Sequence, residues 1–230
     1  MQDPADRDDA QLEHWLLTRY SCRAFLPEPV SRRVIERILE LAQRSASWCN
    51  CQPWQLAIAS GAGVQRLRAA LMARHAQGQE GQRDYAGPSA YEGVYLERRR
   101  ESGYQLYESL GIARGDRAAY QRQAARNFAL FDAPHLAVIT CDAALGAYGA
   151  IDCGGYVSTF MLAARANGVA SIAQAALAQY PEVLRRELGL AETQRVVCGI
   201  SFGYEDGAHP ANQYRTRRAA LADVVNWVDE

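Results

Sequence analysis

Apolar residues first recur at helical spacing in "AQLEHWLLTRY", where Leu12, Trp15 and Leu16 share one side. The pattern breaks at "SCRAFLPEPV", an irregular stretch punctuated by Pro27 and Pro29. Ser31 is the predicted N-cap of "RRVIERILELAQRS", in which Val34, Ile35, Ile38, Leu39 and Ala42 form one apolar stripe. After the loop "SWCNCQPW", the segment "WQLAIAS" reads as a short strand. Residues 61–76 then read as a helix, and residues 77–88, rich in glycine and polar side chains, as a mobile loop.

Residues 89–131 are rich in Arg and Tyr and broadly helical, with a break near Gly111 to Asp116. "PHLAVITCD" is apolar without alternation, the pattern of a buried strand. Residues 146–167 form a long predicted helix whose small residues, Gly149, Ala150, Cys153, Gly154 and Ser158, allow another helix to approach closely. A short strand in "GVASIAQAA", a helix over "YPEVLRREL" with Pro181 near its start, and a strand in "QRVVCGISFGY" complete the pattern, before an extended polar tail. Strands and helices mix without regular alternation and without an internal repeat, so the fold class is α+β, with one domain expected over residues 1–230.

Composition narrows the chemistry. A chain of 230 residues that is 49% hydrophobic supports a full core. Its net charge of -1 argues against a nucleic-acid partner, and "RRR" at 98–100 reads as the solvated face of a helix. The acidic start, "MQDPADRDDA", lacks the apolar core of a signal peptide, and no run is long enough for a membrane span, so a cytoplasmic location is expected. The six cysteines show no disulfide framework and suit free thiols, with Cys49 and Cys51 forming only a C-x-C. Lysine is absent: all 25 basic residues are Arg. Schiff-base, P-loop and protein-kinase chemistries, which need a Lys amine, drop out together. Arginine forks still suit phosphate.

Three motifs match chemistry only superficially. "GAGVQR" follows a strand and opens a helix, yet Arg66 stands where a dinucleotide fingerprint needs its third glycine. "GISFG" matches a nucleophile elbow, but "YEDGAHPAN" follows it instead of a helix. The four histidines share no i, i+4 spacing, so no metal site is expected. More informative are two Arg-bearing segments, "RYSCR" and "RTR". Alternation in extended chain points Arg19, Ser21 and Arg23 one way, and Arg215 and Arg217 likewise, as phosphate clamps or as plain surface arginines.

"RYSCRAFLPEPVSRRVIERILELAQRSASWCNCQPWQLAIAS" resembles the opening of the FMN-dependent nitroreductases. The family's members read R-x-S-x-R-x-F, a helix, then P-S-x-x-N-x-Q-P-W. "DCGGYVSTFMLAARANGVAS" is similar to the family's long central helix, "AQAALAQYPEVLRRELGL" to the segment beside the flavin ring, and "NQYRTRR" to its basic C-terminal motif. The resemblance implies a mostly antiparallel central sheet flanked by helices, in an intertwined homodimer with two FMN sites across the interface.

It also implies roles. Arg19, Tyr20 and Ser21, with Arg215 and Arg217, would hold the FMN phosphate and ribityl chain, and Arg23 would face the pyrimidine edge of the ring. Ser47, Trp48, Asn50 and Gln52 would reach the flavin from the other subunit, and Gln174 and Ala175 would set backbone groups near flavin N5. The sequence departs from the family at Ala46, where proline is usual, and at Trp48 and Cys49, where many relatives keep small or hydroxyl residues. Two roles are open to Trp48, stacking on an aromatic substrate or sealing the interface. Tyr104, Tyr107 and Phe128 are further candidates for the substrate channel. The implied activity is NADPH- or NADH-dependent reduction of nitroaromatic or quinone acceptors on FMN by a ping-pong scheme. Reductive dehalogenation, oxygen-dependent flavin fragmentation and non-catalytic FMN binding are the alternatives.

Overall fold

The computed structural model describes residues 4–229. Its centre is a four-stranded, wholly antiparallel sheet in the order β1-β2-β4-β3, with β1 Trp54–Ser60, β2 His135–Asp142, β3 Ala170–Gln174 and β4 Gln194–Gly203. Among the described residues seven α-helices accompany it: α1 Pro4–Thr18, α2 Arg32–Ala42, α3 Ala62–Ala76, α4 Gly93–Ser109, α5 Arg117–Ala125, α6 Gly146–Ala166 and α7 Pro181–Leu188. The expected α+β class and the expected order of elements both hold.

The unbroken apolar run of β2 follows from its place in the sheet. Ala137, Ile139 and Cys141 face one side, where they pack with Ile35, Ile38 and Ala42 of α2 and with Cys153, Tyr156 and Phe160 of α6. Leu136 and Val138 face the other, against Val64, Leu67 and Leu71 of α3 and Val183 and Leu184 of α7. Successive side chains of a strand point to opposite faces, so a strand covered on both sides loses its polar alternation.

Local signals set the boundaries. Ser31 has extended backbone, and its Oγ accepts a hydrogen bond from the Val34 N–H at 3.4 Å, capping α2. Pro181 opens α7, and Gly189, with φ of 65°, closes it in the left-handed region. Helix α2 packs against α6, as expected, and at Gly149 α6 also comes close to a strand: a side chain there would meet Cys141 Sγ, whereas Gly154 and Gly155 border open space. Residues 77–88 form no regular element, as expected, but their far end is tied down. Asp84 Oδ2 accepts from Arg185 Nη2 at 2.6 Å and from the Val196 N–H at 2.7 Å.

The chain after α1 runs along the open edge of β3. Ser21 bridges Ser171 in parallel fashion, and the Cys22 N–H donates to the Ser171 carbonyl at 3.2 Å. Phe25 then bridges Glu205, just past β4. This segment covers an edge that would otherwise be unpaired, and it brings residues 19–25 beside the chain that leaves β4.

Candidate functional site

Asn212 joins the two ends of the chain. Buried at the start of the C-terminal tail, its Oδ1 accepts from the Arg23 N–H at 2.8 Å, while its Nδ2 donates to the carbonyls of Ala24 and Asp206, both at 2.9 Å. Its own carbonyl accepts from Arg215 Nη1 at 2.8 Å. One side chain therefore holds the backbone after Arg23 and the turn before Arg215 in one place.

Around this junction lies a cavity of about 250 Å³ lined by Arg19, Tyr20, Ser21 and Arg23 from one end of the chain and by Tyr214, Arg215, Thr216 and Arg218 from the other. Leu16, Leu17 and Ser102 complete the wall, and no carboxylate is part of it. Arg215 lies 3.6 Å above the Tyr20 ring, and the Tyr20 hydroxyl donates to Glu205 Oε2 at 2.6 Å, behind the cavity. Burial and this hydrogen bond raise the phenol well above its usual range, so it stays neutral and serves as a shelf for the guanidinium. Arg23 Nη1 donates to the Ser21 carbonyl at 3.1 Å.

Burial and the neighbouring charge of Arg218 lower the pKa of Arg19. Among the described residues, Arg19, Arg23, Arg215 and Arg218 form no ion pair with a carboxylate. Four guanidinium groups gathered without acids repel one another, and an anion relieves that repulsion. A phosphate monoester, with close to two negative charges and three acceptor oxygens, fits the donor set.

A family model described as "Nitroreductase family" matches residues 16–204. The chain belongs to the nitroreductase family. Among its relatives, nitroreductase NfnB of Mycolicibacterium smegmatis is 35% identical over 215 residues, covering 94% of this chain and 92% of the relative. A 4-nitrobenzoate reductase of Pseudomonas putida is 32% identical over 211 residues, with 92% of each chain covered. The crystal structure of the FMN-dependent nitroreductase NfnB from Mycobacterium smegmatis in complex with NADPH superposes with a TM-score of 0.90 at 36% identity, over 95% of this chain and 99% of that one.

Within this nitroreductase fold the residues singled out from sequence fall into distinct places. Arg19, Tyr20, Ser21, Arg23 and Arg215 meet at the acid-free cavity. Arg217 does not join them. Its guanidinium turns to α4, where Nη2 lies 2.6 Å from Glu101 Oε1, and Arg218 lines the cavity in its stead. The tail here belongs to no strand, so strict alternation does not govern which way its side chains point. Neither Asn212 nor Arg218 was singled out from sequence, although both lie inside the quoted motif "NQYRTRR". Burial of an asparagine is a tertiary fact that no local pattern reports.

Ser47, Trp48, Asn50 and Gln52 do not reach the cavity of their own chain. They form a tight surface loop in which Cys49, Asn50 and Gln52 have φ of 52°, 54° and 48°, left-handed positions costing roughly 1–3 kcal/mol each. The loop is held by Ser47 Oγ, which accepts from the Gln52 N–H at 3.0 Å, and by Asp152 of α6, which accepts from the Trp48 N–H at 3.1 Å. Trp48 packs edge-on against Tyr148, with ring centroids 4.5 Å apart. The polar groups of "SWCNCQPW" thus fix the loop's shape.

Gln174 is buried at the end of β3, where its Oε1 accepts from Ser201 Oγ at 2.5 Å and its Nε2 donates to the Asn127 carbonyl at 2.8 Å. With the side chain so engaged, only the backbone of the Gln174–Ala175 turn is available to a ligand. Tyr104 lies beneath Arg114 at 4.7 Å, and Tyr107 stacks on Tyr120 of α5 at 4.2 Å. Phe128 is a correction: it is buried in the core on the α3 side of the sheet, stacked on His75 at 4.3 Å, and does not line the cavity. Its apolar ring is worth more against Leu71 and Tyr180 than at a wet surface.

Proposed function

We propose that this chain binds FMN and, as a homodimer, catalyses NADPH- or NADH-dependent reduction of nitroaromatic or quinone-type acceptors by a ping-pong scheme. One observation carries the reading: guanidinium groups from both ends of the chain converge on a single acid-free cavity. The named activities of the relatives support it. Arg19, Arg215 and Arg218 hold the phosphate, each charge-assisted bond being worth roughly 1.5–3 kcal/mol before desolvation. Tyr20 keeps Arg215 aimed at it, and Ser21 lies along the ribityl chain. Arg23 sets positive charge beside the pyrimidine edge, favouring the reduced, anionic ring. Bound FMN supplies hydride acceptance and donation in both half-reactions.

A homodimer accounts for surfaces that a lone chain leaves bare. Leu12, Leu16 and Leu17 of α1 are exposed, as are Tyr148 and Ile151 of α6, and Trp227 of the tail is 74% exposed. Gly154, Gly155 and Ser158 continue the same smooth, uncovered face of α6. Apolar surface of this extent supports the reading of a subunit interface. Ser47, Trp48, Asn50 and Gln52 of the partner subunit then close the flavin site, and Trp48 with Tyr104 and Tyr107 borders a small aromatic substrate. Among the described residues, no helix is long and apolar enough to cross a membrane.

The purified protein is expected to be yellow, to bleach anaerobically with a nicotinamide donor and to recolour with a nitroarene. A colourless protein that takes up no FMN refutes the reading.

A further inference from the structure

Residues 78–84 lie across the turn that follows β3. Gly81 passes so close to the Gln179 carbonyl that any β-carbon there would overlap it, and the Tyr180 ring closes the same gap. Arg74 of α3 donates to the carbonyls of Gln79 and Glu80 at 3.2 and 3.5 Å. Asp84 anchors the far end through Arg185 and the Val196 N–H, and its carbonyl accepts from Arg195 Nη1 at 2.9 Å. Between these anchors Arg83 is half-buried, and its Nη1 donates to the Ala175 carbonyl at 3.1 Å.

We infer that Arg83 is a positioning residue for the flavin-side turn, acting through the Ala175 carbonyl. The inference rests on the proposed FMN binding, with the backbone of Gln174 and Ala175 placed near flavin N5 as the family resemblance implies. Gln174 is clamped by Ser201 and Asn127, which fixes the last residue of β3 but makes no bond to the carbonyl of the following peptide. Arg83 holds that peptide from above. The Ala175 carbonyl and the Ala176 N–H belong to one peptide unit, so a guanidinium on the oxygen fixes the direction of the N–H and polarises it as a donor. The anchored loop keeps the guanidinium in place, which a free surface arginine would not do without losing side-chain entropy.

The test compares wild type, Arg83→Ala and Arg83→Lys. Amide hydrogen exchange over residues 174–180 is followed by mass spectrometry with and without FMN, beside FMN affinity and the anaerobic rate of flavin reduction by NADPH. Arg83→Ala is expected to speed exchange in this segment about tenfold in both forms, through more frequent local opening. The reduction rate is expected to fall about tenfold through misplacement of the turn, with FMN affinity changed less than about threefold. Arg83→Lys, which keeps a cationic donor, restores part of both effects. Exchange at the wild-type rate, or reduction within about twofold of wild type, overturns the inference. A wild-type protein that takes up no FMN overturns the functional reading instead, while exchange in the FMN-free protein still decides whether Arg83 holds the turn.

Discussion

Replacing Asn212 with alanine removes three buried or partly buried hydrogen bonds, to the Arg23 N–H and to the carbonyls of Ala24 and Asp206. Each is worth about 1 kcal/mol net, and a buried group left without a partner adds about 1–3 kcal/mol unless water reaches it. The turn before Arg215 lies at the surface, so solvent satisfies part of the loss, and the sum comes to about 3 kcal/mol. With a urea m-value of about 3 kcal/mol/M for a chain of this size, the unfolding midpoint should fall by about 1 M. The same bonds hold Arg23 and Arg215 at one cavity, so FMN affinity should weaken by at least about tenfold, the equivalent of 1.4 kcal/mol.

Urea unfolding of the FMN-free protein and fluorescence titration with FMN measure the two effects separately. Asn212→Asp sharpens the test. It keeps the acceptor for the Arg23 N–H but turns a carboxylate oxygen toward two carbonyls, so it should be no more stable than Asn212→Ala. A midpoint shift below about 0.3 M in Asn212→Ala, combined with FMN affinity within about twofold of wild type, refutes the claim that this residue joins the two ends.

Arg218→Ala should weaken FMN binding about tenfold or more, as should Arg19→Ala and Arg215→Ala, with little change in thermal unfolding. Arg217→Ala should leave FMN binding within about twofold, because its exposed pair with Glu101 is worth at most about 1 kcal/mol and lies outside the cavity; equal losses in the Arg217 and Arg218 variants contradict the assignment. His135 provides a pH test. The Val30 N–H donates to its Nε2 at 2.8 Å, so the ring proton sits on Nδ1, facing Ser60 Oγ at 2.6 Å. Burial lowers its pKa below the unfolded value of about 6.5, so its contribution is complete above that pH and is lost as pH falls toward the folded pKa, by up to about 1.4 kcal/mol per pH unit. His135→Asn should unfold more easily at pH 7.5 and lose that acid-side slope in urea midpoints; an unchanged slope assigns the dependence to another group.

The sequence alone determined the element order, because helical stripes, the Ser31 cap, Pro181 and the two-sided apolar run of β2 are local or periodic signals. It also identified the Arg-rich ends and the loop at 47–52, since these residue types in fixed order carry the resemblance. Only the tertiary structure decided which arginine faces the cavity. Arg217 and Arg218 are adjacent and chemically alike, and the choice between them is made by Glu101, which is 116 residues away. Asn212 and Arg83 were invisible for the same reason: each acts through backbone groups distant along the chain, and contacts of that kind exist only once the chain has folded. Phe128 was misread because an aromatic ring beside polar neighbours has the same local pattern whether it lines a channel or fills a core. Burial, set by what packs on the far side of the sheet, is what separates the two.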